Sequence, residues 1–356
     1  MRLVIVFMIL AISLWSCERD LESTKMTQEE NVIEENVVLK SYELDEMIDK
    51  ASEISNIVSL SISKGESLEK EVIFNYGSTY KNNVFSVTKS VTSILVGIAI
   101  DQGYIDSVDD SIDKYINFSE YGLDDTYKEI TLHHLLTMSS GILWNSNDQS
   151  SEYFTLKGST DPLEMIFDRG ISYTPGSRFN YSDGSAYTVA AVLQEATGIS
   201  LLEYATENLF EPLGIDEPKW QKSMTDVYYG GFDLYLTCED MRTIGTLVLN
   251  DGVSDGKQIV SKEWLEMSQT SYMNTGNTTF SDSYGYYWWL GDVQGYKTIS
   301  ALGHGGQFIT IVPDLELVIT CSTIGAVQDS VASTQFIELE QLIKSEIIPF
   351  YIEGEE

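Results

Sequence analysis

The sequence predicts an α/β (α+β) fold in which N- and C-terminal strands form one antiparallel sheet flanked by helices, with a mainly helical lobe inserted between them. Three observations carry this. Near the start, Val58, Leu60 and Ile62 alternate with Ser59, Ser61 and Ser63, and after Lys64-Gly65-Glu66 a second extended run covers Glu71 to Asn75, which reads as a hairpin with one apolar face. The middle of the chain is punctuated as helices. After Tyr284 the texture returns to short aromatic or β-branched runs joined by turns: YGYYWWLGD, GYKTISALGH, QFITIVPDL and ELVITCST. Strands at both ends with helices between place a cleft between sheet and lobe.

In chain order, Met1-Arg2 precede an apolar run from Leu3 to Trp15 that ends at Ser16-Cys17. The run is too short to span a bilayer and fits the core of a signal peptide. Leu14-Trp15-Ser16-Cys17 resembles a bacterial lipobox, with Trp15 larger than the residue usual there, so residues 1–17 are expected to be a lipoprotein signal and Cys17 the lipidated residue. The expected location is extracytoplasmic, anchored by lipid to a bacterial membrane, or secreted if the lipobox is not used. Residues 18–45 are rich in charge and poor in aromatics, a composition that buries too little to order itself and reads as a tether. The folded domain is expected over 46–350, with the helical lobe over about 104–280.

Within that domain a helix is expected from about Thr88 to Asp101, closed near Gly103. Ser200 to Glu203 has the pattern of a capping box after the Gly198 stop, and Thr237 with Asp240 opens a helix running to Asn250-Asp251-Gly252. A last helix is expected from about Ser330 to Lys344. Trp288 and Trp289 alternate across a strand, so one belongs to the core and the other can line the cleft.

A formal net charge of −34 argues against nucleic acid and against electrostatic adhesion to anionic lipid, so membrane attachment is expected only through the N-terminal lipid. Beyond Cys17 only Cys238 and Cys321 remain, far apart and in apolar or helical contexts, which favours two buried free thiols over a disulfide. The histidines are three, His133, His134 and His304, and neither H-E-x-x-H nor C-x-x-C occurs. A zinc site is not expected, and no cofactor is implied. Adjacent His133 and His134 face different ways, one toward helix packing and one toward the surface.

S-x-x-K begins at Ser61, Ser67, Ser78, Ser86, Ser111 and Ser254, so spacing alone selects nothing. Only Ser86 stands at the head of a long apolar helix, where unpaired N–H groups and the positive dipole end meet an oxyanion and Lys89 projects to the same side one turn on. A serine nucleophile needs that setting: a hydroxyl in a cationic, N–H-rich pocket with a proton acceptor in reach. The bland alternative is a helix cap. Residues 252–256 also satisfy G-x-S-x-G, but a nucleophile elbow needs a strand before and a helix after, and here a helix precedes it and turn residues surround it.

SVTK, followed in order by ITLHHLLTMSSGI, PGSRFNYSDGSAYTVAAVLQEATGISLLEYATENLFEPLGI and GHGGQFITIVPDLELVI, resembles the serine β-lactamase and penicillin-binding-protein superfamily over about residues 50–345. Within it the chain is similar to the class C-like branch that includes esterases and 6-aminohexanoate-dimer hydrolases. The resemblance implies a β-lactamase/transpeptidase-like fold, Ser86 as acylated nucleophile, Lys89 as its proton partner and Tyr181 as the residue that passes the proton to the leaving group. It places His304-Gly305-Gly306 where the family has K-T-G or H-x-G, and gives the oxyanion hole to the backbone N–H groups of Ser86 and Gln307. Losing one such donor typically costs on the order of 10²–10³ in rate.

Two departures matter. Where the family's Y-x-N ends in an amide this chain has Asp183, which beside Lys89 would favour the charged lysine, shift the base role toward Tyr181 and repel an anionic substrate. His304 replaces the lysine that holds a β-lactam carboxylate. Asp183, His304, Gly305, Gly306 and Trp144, the last placed at the rim after Ser140-Gly141, are the expected substrate-binding residues. The reading is a serine hydrolase cleaving a small-molecule or peptide-like ester or amide through an acyl-enzyme on Ser86, without metal or cofactor. A D-alanyl peptidase or β-lactamase acting on cell-wall-type substrates, and an idle ligand-binding lipoprotein, stay open.

Overall fold

The computed structural model describes residues 43–65, 67–276 and 281–354. The chain divides into two compact units after Lys50. In the first, residues 43–50 are helical. The signal segment, the lipidation candidate Cys17 and all of the tether but its last three residues lie outside the described residues.

The second unit is built on an eight-stranded antiparallel sheet. Its strands are β1 (Ile57–Lys64), β2 (Ser67–Ile73), β8 (Met273–Asn274), β9 (Ser283–Tyr284), β10 (Trp289–Val293), β11 (Tyr296–Gly303), β12 (Gln307–Val312) and β13 (Leu317–Thr323). Their order is β2-β1-β13-β12-β11-β10-β9-β8, so the N-terminal hairpin closes directly on the last strand, with Leu60 opposite Cys321 and Ser61 opposite Thr320. Between β2 and β8 lie β3 (Asn82–Asn83), β4 (Lys219–Trp220) and β5 (Leu234–Leu236), which form a small second sheet, and the hairpin β6 (Val253–Ser254) and β7 (Lys257–Gln258). The hairpin disposes of the G-x-S-x-G match: Asp255 and Gly256 both adopt positive φ, the geometry of a tight two-residue turn.

The hairpin β1–β2 was expected to carry one apolar face, yet β1 is buried on both. The serine face of β1 lies under helix α7 (Cys238–Leu249), whose Cys238 Sγ contacts Thr320 Oγ1 at 3.4 Å. Gly245 of α7 brings the helix down onto the sheet, since a Cβ there would stand 2.6 Å from Val318 Cγ1. The other face, with Leu60, Cys321 and Phe308, is covered by the C-terminal helix α9 (Asp329–Leu342) through Phe308 against Phe336. Thr237 and Asp240 cap α7 reciprocally, and its apolar stripe of Met241, Ile244, Leu247 and Val248 is buried. Thus α7 falls inside residues 104–280 in sequence but packs on the sheet. Cys238 and Cys321 are free and buried.

Helix α1 (Val87–Asp101) runs through the middle, buried from Val87 to Ala99, between β11 on one side and α5 (Asp183–Thr197) on the other. Each fully buried aliphatic side chain along it is worth about 1.5–3 kcal/mol relative to exposure. Gly97 admits the Trp264 ring of α8 (Lys262–Ser268), where a Cβ would lie 2.2 Å from Cδ1. The lobe is completed by α2 (Leu132–Leu136), α3 (Gln149–Gly158), α4 (Pro162–Phe167) and α6 (Leu201–Ala205), and a short α10 (Ile348–Glu353) ends the unit. Both His133 and His134 are half-buried, the first against Tyr286 Oη at 2.9 Å, the second closing a capping box with Thr131, so neither belongs to the surface. Among the described residues no helix is long and apolar enough to cross a membrane.

Candidate active site

Ser86 is presented by a strained turn. Phe85 before it has φ +45, a left-handed conformation costly for a bulky residue, and its N–H is fixed by Asn83 Oδ1 at 2.8 Å. Ser86 then stands at the N-cap of α1, half-buried, but its side chain makes no capping hydrogen bond. Its Oγ instead accepts from Lys89 Nζ at 3.0 Å. The serine is therefore not spent on ending the helix.

Lys89, 1 % exposed, uses its ammonium fully: it also donates to Asp183 Oδ1 at 2.6 Å and to the Gly231 carbonyl at 2.9 Å. Asp183 is the first residue of α5, whose cap Ser182 accepts from Ser185 N, so the carboxylate sits at the positive end of a helix. Gly231 must be small here, because a Cβ would come within 3.2 Å of Lys89 Nζ and 3.3 Å of Asp183 Oδ1. Burial, the strongest influence on Lys89, pulls its pKa down, but Asp183 and then Tyr181 outweigh it and leave the pKa above the usual 10.5. Lys89 is an ammonium at neutral pH.

Tyr181 precedes the cap, with its ring 4.8 Å from Lys89 Nζ, stacked on Trp289 and edge-on to Tyr284. The paired tryptophans divide as their alternation requires: Trp288 is fully buried and half-buried Trp289 faces the cavity. From the opposite side the end of β11 brings Gly303 and His304, the imidazole 5.4 Å from the Phe85 ring. Desolvation, opposed by Asp329, holds His304 below its usual pKa of 6.5, so the ring is neutral at neutral pH.

These groups line a cavity of about 650 Å³ together with Phe85, Tyr153, Phe154, Phe232, Tyr235 and Phe336. Among the described residues its charged lining consists of the carboxylates Asp183 and Asp329, with no lysine or arginine. Among the described residues no group of three or more His, Cys, Asp or Glu could hold a metal ion.

Three expected site positions fall elsewhere. Gln307 is fully buried at the head of β12, its Nε2 donating to the Thr323 carbonyl at 2.7 Å and its Oε1 accepting from Ser322 at 3.0 Å, and it does not line the cavity. Gly305 and Gly306 form the β11–β12 turn at φ +79 and +109, which leads the chain away from the cavity right after His304. Trp144 is 3 % exposed, packed under the Arg169 guanidinium and against Gly184, and belongs to the core of the lobe. At the end of β11 and the start of its turn, Gly303 and His304 line the cavity with Ser86, and Gln307 does not. Among the described residues, neither the Ser86 nor the His304 amide donates a backbone hydrogen bond in the turns and loops.

The sequence reading missed a polar cluster behind the cavity wall. Asp233, fully buried, accepts from Asn83 Nδ2, Tyr153 Oη and Lys157 Nζ. Its members are scattered from position 83 to 233, and no local spacing marks them.

The 6-aminohexanoate-dimer hydrolase of Paenarthrobacter ureafaciens is 25 % identical over 259 residues, 66 % of this chain and 64 % of that protein, so the chain spans just under two thirds of that relative's length. A lovastatin esterase of Penicillium rubens is 29 % identical over 154 residues, 38 % of each chain. The octameric penicillin-binding protein homologue from Pyrococcus abyssi superposes with a TM-score of 0.66 at 21 % identity, covering 85 % of this chain and 77 % of that one, a likeness of fold. The family described as Beta-lactamase matches residues 82–333, from the strand before Ser86 into α9, and the chain belongs to that family of serine hydrolases.

Proposed function

We propose that the protein hydrolyses a neutral ester or amide through an acyl-enzyme on Ser86. The observation that carries this is the Ser86 hydroxyl, free of any capping bond, 3.0 Å from a fully buried ammonium that is itself anchored by Asp183 and Gly231. An ammonium cannot accept the serine proton, so Lys89 orients Ser86 Oγ and steadies negative charge on it, and Tyr181 relays the proton: its oxygen accepts from Ser86 Oγ as Oγ attacks the substrate carbonyl, while its own hydroxyl proton passes to the departing alcohol or amine. The amides of Ser86 and His304 receive the oxyanion. Water then attacks the acyl-Ser86 ester by the same steps in reverse order.

The carboxylates Asp183 and Asp329, in a wall where no described residue is a lysine or arginine, favour uncharged substrates over anionic ones such as penicillins, and the aromatic lining suits an apolar acyl or leaving group. The test is intact-mass analysis of residues 18–356 and its Ser86→Ala variant after exposure to a short-chain p-nitrophenyl ester, a fluorophosphonate and benzylpenicillin, with ester turnover followed in parallel. Turnover and one adduct, both lost in Ser86→Ala, are expected from the ester and fluorophosphonate. No adduct on folded protein would return Ser86 to a structural role.

A further inference from the structure

We propose that the buried Asp233–Lys157 ion pair is a positioning device that fixes both the turn presenting Ser86 and the carbonyl holding Lys89. The inference rests on Ser86 being the nucleophile.

Asp233 is fully buried, with φ +61, a conformation that aspartate tolerates better than most residues. A carboxylate out of water is costly unless several donors satisfy it, and here they come from three parts of the chain. Its Oδ1 accepts from Asn83 Nδ2 at 2.8 Å and from Tyr153 Oη at 2.9 Å, and its Oδ2 from Lys157 Nζ at 2.5 Å. Lys157 is 29 % exposed at the side chain and also reaches Tyr153 Oη and Gln221.

Two of these links lead to the reacting groups. Asn83 accepts the Phe85 N–H through Oδ1 while its Nδ2 is held by Asp233, so the carboxylate sets the amide's orientation, and the amide in turn secures the strained residue next to Ser86. In the other direction Asp233 is two residues from Gly231, whose carbonyl takes one of the three hydrogen bonds of Lys89. Asp233 also joins the lobe helix α3 to this loop through Tyr153, which lines the cavity, and Lys157 one turn further on.

The chemistry requires a carboxylate rather than its amide. In Asp233→Asn one oxygen becomes an NH₂, and whichever way the group turns, a donor faces either Lys157 or the Asn83–Tyr153 pair. The shape is kept and the network is not.

A purely structural pair would lower the melting temperature and leave the folded molecules fully active; a positioning pair slows chemistry in molecules that are folded. The experiment measures the single-turnover rate of Ser86 labelling by a fluorophosphonate, and kcat and KM for a p-nitrophenyl ester, in full-length wild type, Asp233→Asn, Lys157→Met and Lys157→Arg, each scaled to the folded fraction. Expected are losses of about 10²-fold in labelling rate and kcat for Asp233→Asn and Lys157→Met, little change in KM, and recovery to within severalfold in Lys157→Arg, which keeps the charge. Should Asp233→Asn not fold, Asn83→Ala, which removes the link from Asp233 to Phe85 and leaves the Asp233–Lys157 pair, is expected to slow labelling in the same way. Labelling at the wild-type rate in folded Asp233→Asn, or in folded Asn83→Ala, overturns the proposal. Absence of Ser86-dependent labelling in the wild type instead overturns the assignment of the nucleophile, so the two failures are distinguishable.

Discussion

Lys89 and Asp183 form an ion pair of 2.6 Å with side chains only 1 % and 8 % exposed, and the serine they serve lies 3.0 Å from the same ammonium. The pair explains how a positive charge is kept beside Ser86 in a site that burial would otherwise discharge. It also sets the division of labour, because a lysine locked as its ammonium can orient and stabilise but cannot be the base.

Asp183→Asn removes the counter-charge and keeps an acceptor oxygen. Burial then dominates, the Lys89 pKa falls, and neutral Lys89 becomes available as a base within the working range. Expected are a new ascending limb in the pH–rate profile of ester hydrolysis and faster acylation by benzylpenicillin, whose carboxylate no longer meets Asp183. Unchanged penicillin acylation would sink the charge-repulsion account. Breaking a buried pair by removing one partner typically costs about 3–5 kcal/mol, reduced here to the extent that Lys89 sheds its proton. Because the folded pKa of Lys89 is raised, the stability from the pair is fully present below 10.5 and is lost as pH rises through the folded value. In the wild type this contribution should be level through neutral pH and shrink only above 10.5, whereas the variant, with its folded Lys89 depressed, should gain stability as pH rises toward 10.5, so the difference in denaturation free energy narrows with rising pH.

Gly231→Ala tests the third arm of the ammonium. The added methyl would stand 3.2 Å from Lys89 Nζ and 3.0 Å from Ala186 Cβ, so something in this corner must yield by a few tenths of an ångström. Gly231 has no positive φ, so the backbone itself tolerates alanine. A drop in kcat of about 10–10²-fold with a melting temperature near wild type is expected from kinetics and calorimetry on the same preparation. Full activity would mean that the position of Lys89 is not critical.

The elements that could be read in advance were those with local causes. Reciprocal capping by Thr237 and Asp240 starts α7 where the pattern places it, and the aromatic and β-branched runs after Tyr284 became β10 to β13. Ser86, Lys89, Tyr181 and Asp183 were legible because helix starts and short motifs carry them, and the fold does bring them together. Gln307 and Trp144 were misplaced for a tertiary reason. The Gly305-Gly306 turn decides which side of the β11–β12 hairpin meets the cavity, and Trp144 is drawn inward by Gly184 and Arg169. Likewise the serine face of β1 reads as exposed until α7, some 180 residues later in the chain, covers it.

The paired histidines make stability sensitive to acid. Desolvation holds both His133 and His134 below 6.5, and His134 Nδ1 accepts the Thr131 N–H at 3.2 Å, a bond its protonated form cannot make. With the folded value depressed, their contribution is present above 6.5 and is lost as pH falls through the folded value. Denaturation midpoints measured across this range should fall on acidification. His134→Gln, which keeps an acceptor for Thr131 and cannot charge, should lessen the fall. A wild-type slope in His134→Gln would assign the acid sensitivity to other groups.

Gly325→Ala separates the His304 amide from the alternatives for the second oxyanion donor. A Cβ at 325 would lie 2.5 Å from Phe85 Cε2 and 2.6 Å from the His304 carbonyl oxygen, so it presses on the residue before Ser86 and on the backbone of His304 at once. The nearest contacts of that Cβ are all on Phe85 and His304, whereas Gln307 is turned inward and bonded to Thr323 and Ser322. If His304 supplies the amide, fluorophosphonate labelling and ester acylation of the folded variant should slow by about 10²–10³-fold, the usual cost of losing one oxyanion donor. Because the same methyl also touches Phe85, a Phe85→Leu background, which relieves the contact with the ring, is needed as comparison. A loss that persists in Phe85→Leu/Gly325→Ala relative to Phe85→Leu alone belongs to His304, whereas full recovery there would move the second donor elsewhere on β11.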